Sequence, residues 1–316
     1  MHPPTPADIR AAAERIRPLA QRTPVLTCAS FDTQAGTHAV FKCENFQKGG
    51  AFKIRGASNL VLSIPKEELG RGVITYSSGN HAQATAIAAR HVGTMATIVM
   101  PEDAPRSKLE ATRAQGARVV TYNRFQESRE AIAARLLEET RATLVPPFDH
   151  PLTIAGQGTV ALELLEQAQA LDALITPVGG GGLLSGCAIM AKEINARIRV
   201  FGAEPARAND TYLSFQAGQR VSIPLPDTIA DGLRSQQPGE ITFSVVRRLA
   251  EAILLVSEEE IRAAVKFLLL RLKILVEPSG AVAAAAVLFG KLPAGIRSIG
   301  VVLSGGNLDF EQLANF

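Results

Sequence analysis

The chain has 316 residues, 47% hydrophobic and 20% charged, which is a globular composition long enough for one large core or several. Its net charge of +3, from 33 Lys and Arg against 30 Asp and Glu, is too small and dispersed for a nucleic-acid or membrane-surface protein, and a chain without Trp makes a poor base-stacking platform. Three cysteines outside any C-x-x-C pair argue against a disulfide framework, the first ten residues lack a signal-peptide pattern, and no apolar run reaches the ~18 residues of a membrane span, so a reducing cytoplasm is expected.

From the N-terminus, Pro6 to Leu19 reads as an amphipathic helix that Thr23-Pro24 ends, followed by a short strand at Ala39 to Cys43. Phe52 to Ser63 reads as a helix closed by Pro65, and Val73 to Tyr76 as a buried strand running through Ser77-Ser78-Gly79-Asn80 into an Ala-rich helix, His81 to His91. A strand at Thr97 to Met100, a helix at Lys108 to Gln115, a strand at Val119 to Tyr122 and a helix at Glu127 to Thr140 continue the alternation. That rhythm means βαβ units and a parallel sheet.

A second series follows. It comprises a helix at Ile154 to Ala168, a strand at Ala173 to Val178, the glycine run Gly179 to Gly182, a helix at Leu183 to Ile194 and a strand at Val200 to Glu204. Val256 ends a strand and Ser257-Glu258-Glu259-Glu260 starts a helix with a capping-box pattern. Helices at Ile261 to Leu272 and Gly280 to Leu288 precede a last strand, Ile299 to Leu303, which runs into Ser304-Gly305-Gly306-Asn307. Two series imply two lobes with a ligand cleft between them.

Five segments carry chemistry. Gly179 to Gly182 sit at a strand-to-helix junction, where backbone N–H groups without a neighbouring Cβ, together with a helix N-terminus, cradle an anion. The run is neither a P-loop, because no Lys follows, nor a clean dinucleotide fingerprint. Lys53, flanked by Phe52 and Ile54 near a helix start, is placed for a depressed pKa and for bonding a carbonyl compound through its amine. The Ser77-Ser78-Gly79-Asn80-His81 turn offers N–H groups to a carboxylate, and Ser304 to Asn307 form a comparable turn after the last strand. Glu204 and Asp210 are hard oxygen ligands at a spacing that suits Mg²⁺ or Ca²⁺.

Together, K-G-G-A-F-K-I-R-G-A, S-S-G-N-H-A-Q, I-A-G-Q-G-T, P-V-G-G-G-G-L-L-S-G, A-D-G and L-S-G-G-N resemble the serine/threonine dehydratase and serine racemase family, over Arg22 to Asn307. These are pyridoxal-phosphate enzymes of fold type II, related more distantly to tryptophan synthase β. The resemblance implies an α/β, two-lobed fold, each lobe an open, mostly parallel sheet flanked by helices. It implies a large cofactor-binding domain from 1–65 and 150–316, and a small mobile domain from 66–149. Lys53 would carry the cofactor and act as base on one face, with Phe52 beside the ring and Ser78 as the second base on the other face. Asn80 would meet the ring's phenolic oxygen, Gly179, Gly180, Gly181, Gly182 and Leu183 the phosphate, and Ser304 the pyridine nitrogen. Ser77, Ser78, Asn80 and His81 would bracket the substrate carboxylate, with Arg135 and Ser235 near the substrate side chain. Glu204, the Ala208 carbonyl and Asp210 would hold Mg²⁺, or Ca²⁺ or Mn²⁺ in its place. A homodimer, a nucleotide effector and the short form without a regulatory C-terminal domain complete the expectation. The leading activity is dehydration of L-serine or L-threonine to a 2-oxo acid and ammonia, with racemisation on the side. A true serine racemase and a threo-3-hydroxyaspartate dehydratase are the near alternatives, and a non-catalytic sensor on the same scaffold is the alternative of another class. Ala51 before Phe52-Lys53, where dehydratases often carry Ser or Thr, leans towards racemase-like members, and Phe148 leans towards bacterial dehydratases.

Overall fold

The structure is a computed structural model that describes residues 1–104, 106–123, 125–309 and 313. In chain order the elements begin α1 (Pro6–Ile16), β1 (Val25–Thr27), α2 (Ala29–Ala35), β2 (His38–Cys43), α3 (Lys53–Val61), β3 (Val73–Tyr76) and α4 (Asn80–Val92). They continue with β4 (Ala96–Pro101), α5 (Arg106–Ala114), β5 (Arg118–Tyr122), α6 (Arg129–Thr140), β6 (Thr143–Leu144), α7 (Pro151–Gln167), β7 (Ala173–Pro177), α8 (Gly182–Ile194) and β8 (Arg199–Pro205). The rest are α9 (Asp210–Ala217), α10 (Glu240–Leu249), β9 (Ala252–Val256), α11 (Glu258–Phe267), α12 (Pro278–Leu288) and β10 (Ser298–Leu303).

Local chemistry sets many of the boundaries. Thr5 and Asp8 close a capping box on α1, with Pro6 at the first helical position where its missing N–H costs nothing. Ser257 and Glu260 do the same for α11, as their spacing predicts. Gly36 and Gly93 end α2 and α4 in the left-handed conformation that glycine adopts without penalty.

The strands form two sheets. The larger has the order β1-β2-β10-β7-β8-β9 and the smaller β5-β4-β3-β6. All pairs are parallel except β1 with β2, which run antiparallel at the edge. The α/β class with mostly parallel sheets is as expected. Helices cover both faces of the larger sheet, which is why β7, β8 and β10 read as almost unbroken apolar runs. Every residue of α12 is buried, and its small residues, among them Ala281 and Ala283 to Ala286, let it lie close against β7, β8 and β10. α7 is nearly as buried and lies between α3 and α8.

Several elements escape the sequence reading. β1 and α2 are too short to show a period, and α9 and α10 lie in a polar, Pro-rich stretch that obscures them. The helix expected at Ile261 to Leu272 starts at Glu258 and ends as an α-helix at Phe267; a π turn over Leu268–Leu272 then closes on Lys273 at φ 60°. No helix among the described residues is long and apolar enough to cross a membrane, and Cys28, Cys43 and Cys187 are free thiols.

Candidate active site

β10 pairs in parallel with β7, Ile299 opposite Ala173, so the two strands end on the same side of the sheet. The glycine run follows β7 and Ser304 follows β10, which brings both segments to one rim, where open α/β sheets take their ligands. The chain entering α3 is stitched to this rim. Ala51 bridges Gly305, Phe52 N–H donates to the Ser304 carbonyl at 3.0 Å, and Gly306 N–H donates to the Gly50 carbonyl at 2.9 Å. Lys53, the first residue of α3, is thereby fixed beside Ser304 although 251 positions separate them in the sequence.

The Lys53 amine donates to the Pro147 carbonyl at 2.8 Å and lies 5.2 Å from the centre of the Phe52 ring. Burial pulls its pKa from the usual lysine range down to about 8, so a fraction of the amine is free base near neutrality. His81, almost wholly buried, places Nε2 at 2.9 Å from the Val145 carbonyl. A carbonyl only accepts, so Nε2 carries the hydrogen and Nδ1 is a bare acceptor with no partner. Burial first, and then the Lys53 charge, push the His81 pKa down to about 3, against the pull of the Val145 bond, so the imidazole is neutral.

The glycine run is a cradle by geometry as well as by composition. Gly181 sits at φ 89°, and a β-carbon on Gly180 would come within 2.3 Å of the Phe148 ring. One on Gly182 would come within 2.3 Å of Gln157 Oε1. Thr242 Oγ1 ties down the Gly180 carbonyl at 2.7 Å, and the Asp149 carboxylate caps α10 through the N–H groups of Glu240, Ile241 and Thr242. The N-terminus of α8, with Gly181 as its cap and no side-chain capping bond, leaves its backbone donors available to an anion. Leu183 is buried behind the run, and Ser235 Oγ lies 3.4 Å from the point where a β-carbon on Gly179 would sit.

The structure brings Ser77, Ser78, Asn80 and His81 together in the turn from β3 into α4, with Gly79 N–H donating to Ser77 Oγ at 3.3 Å and the Ser78 side chain half-buried. Asn80 joins a network the sequence reading missed. Its Nδ2 donates to Glu277 Oε1 at 2.7 Å, and its Oδ1 accepts from Asn307 Nδ2 at 2.9 Å. Burial, followed by the nearby Asp231 charge, lifts the Glu277 carboxyl to about 8, opposed by bonds from Asn80 and Asn307 and by Lys108. Nothing local in E-P-S-G, 197 positions from Asn80, announces that contact.

Arg135 is not brought to this cluster. It stands on the outer face of α6 with 68% of its side chain exposed and pairs with Glu139 one turn on. The buried face of that helix carries Ala133 and Leu136. The arginine that points towards the turn is Arg129, whose guanidinium lies 5.3 Å from the ring centre of Tyr76, the residue before Ser77. A signal existed, since Ser128 is the helix N-cap and so fixes Arg129 at the first position.

Glu204 and Asp210 are fully buried together, with Ala208 between them in the chain and equally buried. Glu204 accepts from the N–H groups of Thr211 at 3.2 Å and Tyr212 at 2.8 Å, while both Asp210 carboxylate oxygens lack partners. Burial, with Asp210 beside it, raises Glu204 well above the carboxylate range, and burial raises Asp210 to about 7. Two buried acids without a counter-charge make a candidate cation site.

A family profile described as "Pyridoxal-phosphate dependent enzyme" matches residues 16–305. An L-threo-3-hydroxyaspartate ammonia-lyase of Saccharomyces cerevisiae is 46% identical over 98% of this chain and 95% of its own. The structure of maize serine racemase superposes with a TM-score of 0.96 at 44% identity, covering 99% of this chain and 97% of that one. The crystal structure of the T.th. threonine deaminase superposes with a TM-score of 0.92 at 43% identity, covering 97% of this chain and 99% of that one.

Proposed function

The chain belongs to the pyridoxal-phosphate dependent enzyme family, and we propose that it eliminates water from a small β-hydroxy amino acid, L-serine, L-threonine or L-threo-3-hydroxyaspartate, to give a 2-oxo acid and ammonia. The observation that carries the reading is the buried Lys53 amine, shifted to about 8, bonded to the Pro147 carbonyl next in the chain to Phe148, which packs on Gly180, and close enough to His81 of the turn to lower its pKa. The fit to the cofactor is supported by a cradle in which any β-carbon on Gly180 or Gly182 would collide, and by the orphaned acceptor of His81 beside the lysine. With pyridoxal phosphate bound, Gly179 to Gly182 and Leu183 would hold the phosphate, Phe52 would flank the ring, and Ser304 and Asn80 would meet its nitrogen and its oxygen.

When bound, pyridoxal phosphate supplies the electron sink for negative charge at the substrate α-carbon. Lys53 takes the α-proton, which a partly deprotonated amine does efficiently near neutral pH. The turn at Ser77, Ser78 and His81 orients the substrate carboxylate through backbone donors at the start of α4. The β-carbon to oxygen bond breaks as the proton that Lys53 took from the α-carbon passes to the leaving oxygen, which departs as water, and the released enamine hydrolyses to the 2-oxo acid and ammonia. Arg129 and Ser235 flank the substrate side chain. Glu204, Asp210 and the Ala208 carbonyl would hold Mg²⁺, with Ca²⁺ or Mn²⁺ as substitutes, a fit supported by the two partnerless Asp210 oxygens, although two carboxylates alone are a sparse ligand set. Racemisation is the second reading, favoured by a half-buried Ser78 whose hydroxyl is available to return a proton from the other face.

Product identification with L-serine, L-threonine and L-threo-3-hydroxyaspartate side by side tests the proposal, scoring pyruvate, 2-oxobutyrate, oxaloacetate and D-serine. Formation of none above the no-enzyme control rejects it. Lys53→Ala lowers any activity by about 10³-fold or more and removes the visible absorbance band that borohydride bleaches in the parent.

A further inference from the structure

Gln157 lies between the lysine and the glycine cradle. α7 crosses two helices at glycine contacts on either side of it. A β-carbon on Gly156 would come within 2.4 Å of the Arg55 carbonyl in α3, and one on Gly158 within 2.8 Å of the Gly186 carbonyl in α8. Such close crossings leave no room for larger groups and hold three backbones in register. Gln157, 1% exposed, is the side chain between them, and it touches both functional ends. Its Nε2 donates at 3.4 Å to the Pro147 carbonyl, the same oxygen that receives the Lys53 amine at 2.8 Å. Its Oε1 abuts Gly182 of the cradle and has no donor. Exchanging the amide's oxygen and nitrogen would set an acceptor against the Pro147 carbonyl, so chemistry favours the orientation described.

We propose that Gln157 is a positioning residue for Lys53, holding in place the Pro147 carbonyl that receives the amine and competing for it. The proposal rests on the reading above and deepens it, since it names a residue that tunes the same amine. Pro146 and Pro147 lack N–H groups, so this strip joins no sheet ladder there, and its carbonyls face side chains instead. Val145 receives Thr75 and His81, Pro146 receives Thr153, and Pro147 receives Lys53 and Gln157. A carbonyl shared with a second donor is a weaker acceptor for an ammonium group. Gln157 therefore favours the free-base amine that must react, and keeps it on a tether from which it readily leaves.

The test labels the cofactor-free full-length chain with an amine-reactive anhydride across a pH series and reads the Lys53 peptide by mass spectrometry. Gln157→Met removes the competing donor at similar volume, and Gln157→Glu replaces it with an acceptor of the same shape. The labelling midpoint of Lys53 is expected to rise by roughly half a pH unit in the Met variant and further in the Glu variant. A midpoint unchanged in the Met variant, with only the melting temperature lowered, overturns the proposal by reducing Gln157 to packing; the Glu variant, whose added charge raises the midpoint in any case, checks only that the assay reads this lysine. Should the Met variant fail to fold, Gln157→Leu, which also lacks the donor, decides by the same criterion. Because labelling needs neither cofactor nor substrate, its failure is distinct from a failure of the proposed elimination, which product identification reads.

Discussion

Asp210 lies at the first position of α9, sharing a wholly buried space with Glu204, yet neither of its carboxylate oxygens meets a donor while Glu204 takes the N–H groups of Thr211 and Tyr212. Burial raises Asp210 from 3.8 to about 7 and Glu204 in the same direction. The folded form thus binds more protons than the unfolded chain between those pH values, and without a divalent cation its stability falls as pH rises through that window. The loss is on the order of 2–4 kcal/mol for Asp210. A cation replaces the proton, so Mg²⁺ is expected to raise the melting temperature more at pH 8 than at pH 5. Melts of the parent and of Asp210→Asn check this, the variant losing Asp210's share of the pH slope and most of the Mg²⁺ response, while the slope from buried Glu204 remains.

Arg55 is the largest fully buried side chain, and its guanidinium reaches Glu44 at 2.7 and 2.8 Å, Glu163 at 2.7 and 2.8 Å, and Thr159 at 3.1 Å. Lys42 joins the same carboxylate, Glu163, at 2.6 Å. The cluster ties α3, two residues past Lys53, to β2 and α7. Arg55→Met strands Glu44 in the interior and is expected to cost about 3–5 kcal/mol in urea unfolding. A double variant, Arg55→Met with Glu44→Met, recovers a measurable part of that loss.

Gly180→Ala is expected to spare the fold and weaken the cofactor. Its β-carbon would press on the Phe148 ring at 2.3 Å and push it against the cradle. Affinity for pyridoxal phosphate, read by absorbance titration, falls by roughly 10- to 100-fold, the equivalent of about 1–3 kcal/mol of overpacking. Phe148→Ala in the same background restores most of it.

Two arginines of α6 separate the readings of the substrate side chain. Arg129→Ala raises the KM for L-threo-3-hydroxyaspartate by roughly tenfold, because a charge-assisted contact to a second carboxylate is lost. Arg135→Ala, which removes only an exposed pair with Glu139, stays within about twofold of the parent. Equal effects of the two variants reject the assignment to Arg129.

The sequence by itself determined the α/β class, the glycine cradle and the lysine. A four-glycine strand-to-helix junction has few physical uses, and six motifs in one order leave little freedom about which lysine the proposed function assigns to the cofactor. Strands and helices with an apolar period were legible to within a few residues, because burial of one face writes that period into the chain. Only the tertiary structure decided what meets across long separations. Asn80 with Glu277, Arg55 with Glu44 and Glu163, and Lys53 with Gln157 on one carbonyl all join segments far apart in the chain, which no local pattern encodes. The same holds for the choice of arginine. Positions 129 and 135 fall on different faces of a helix with 3.6 residues per turn, and Ala133 and Leu136 packing against the smaller sheet leave Arg135 on the outer one.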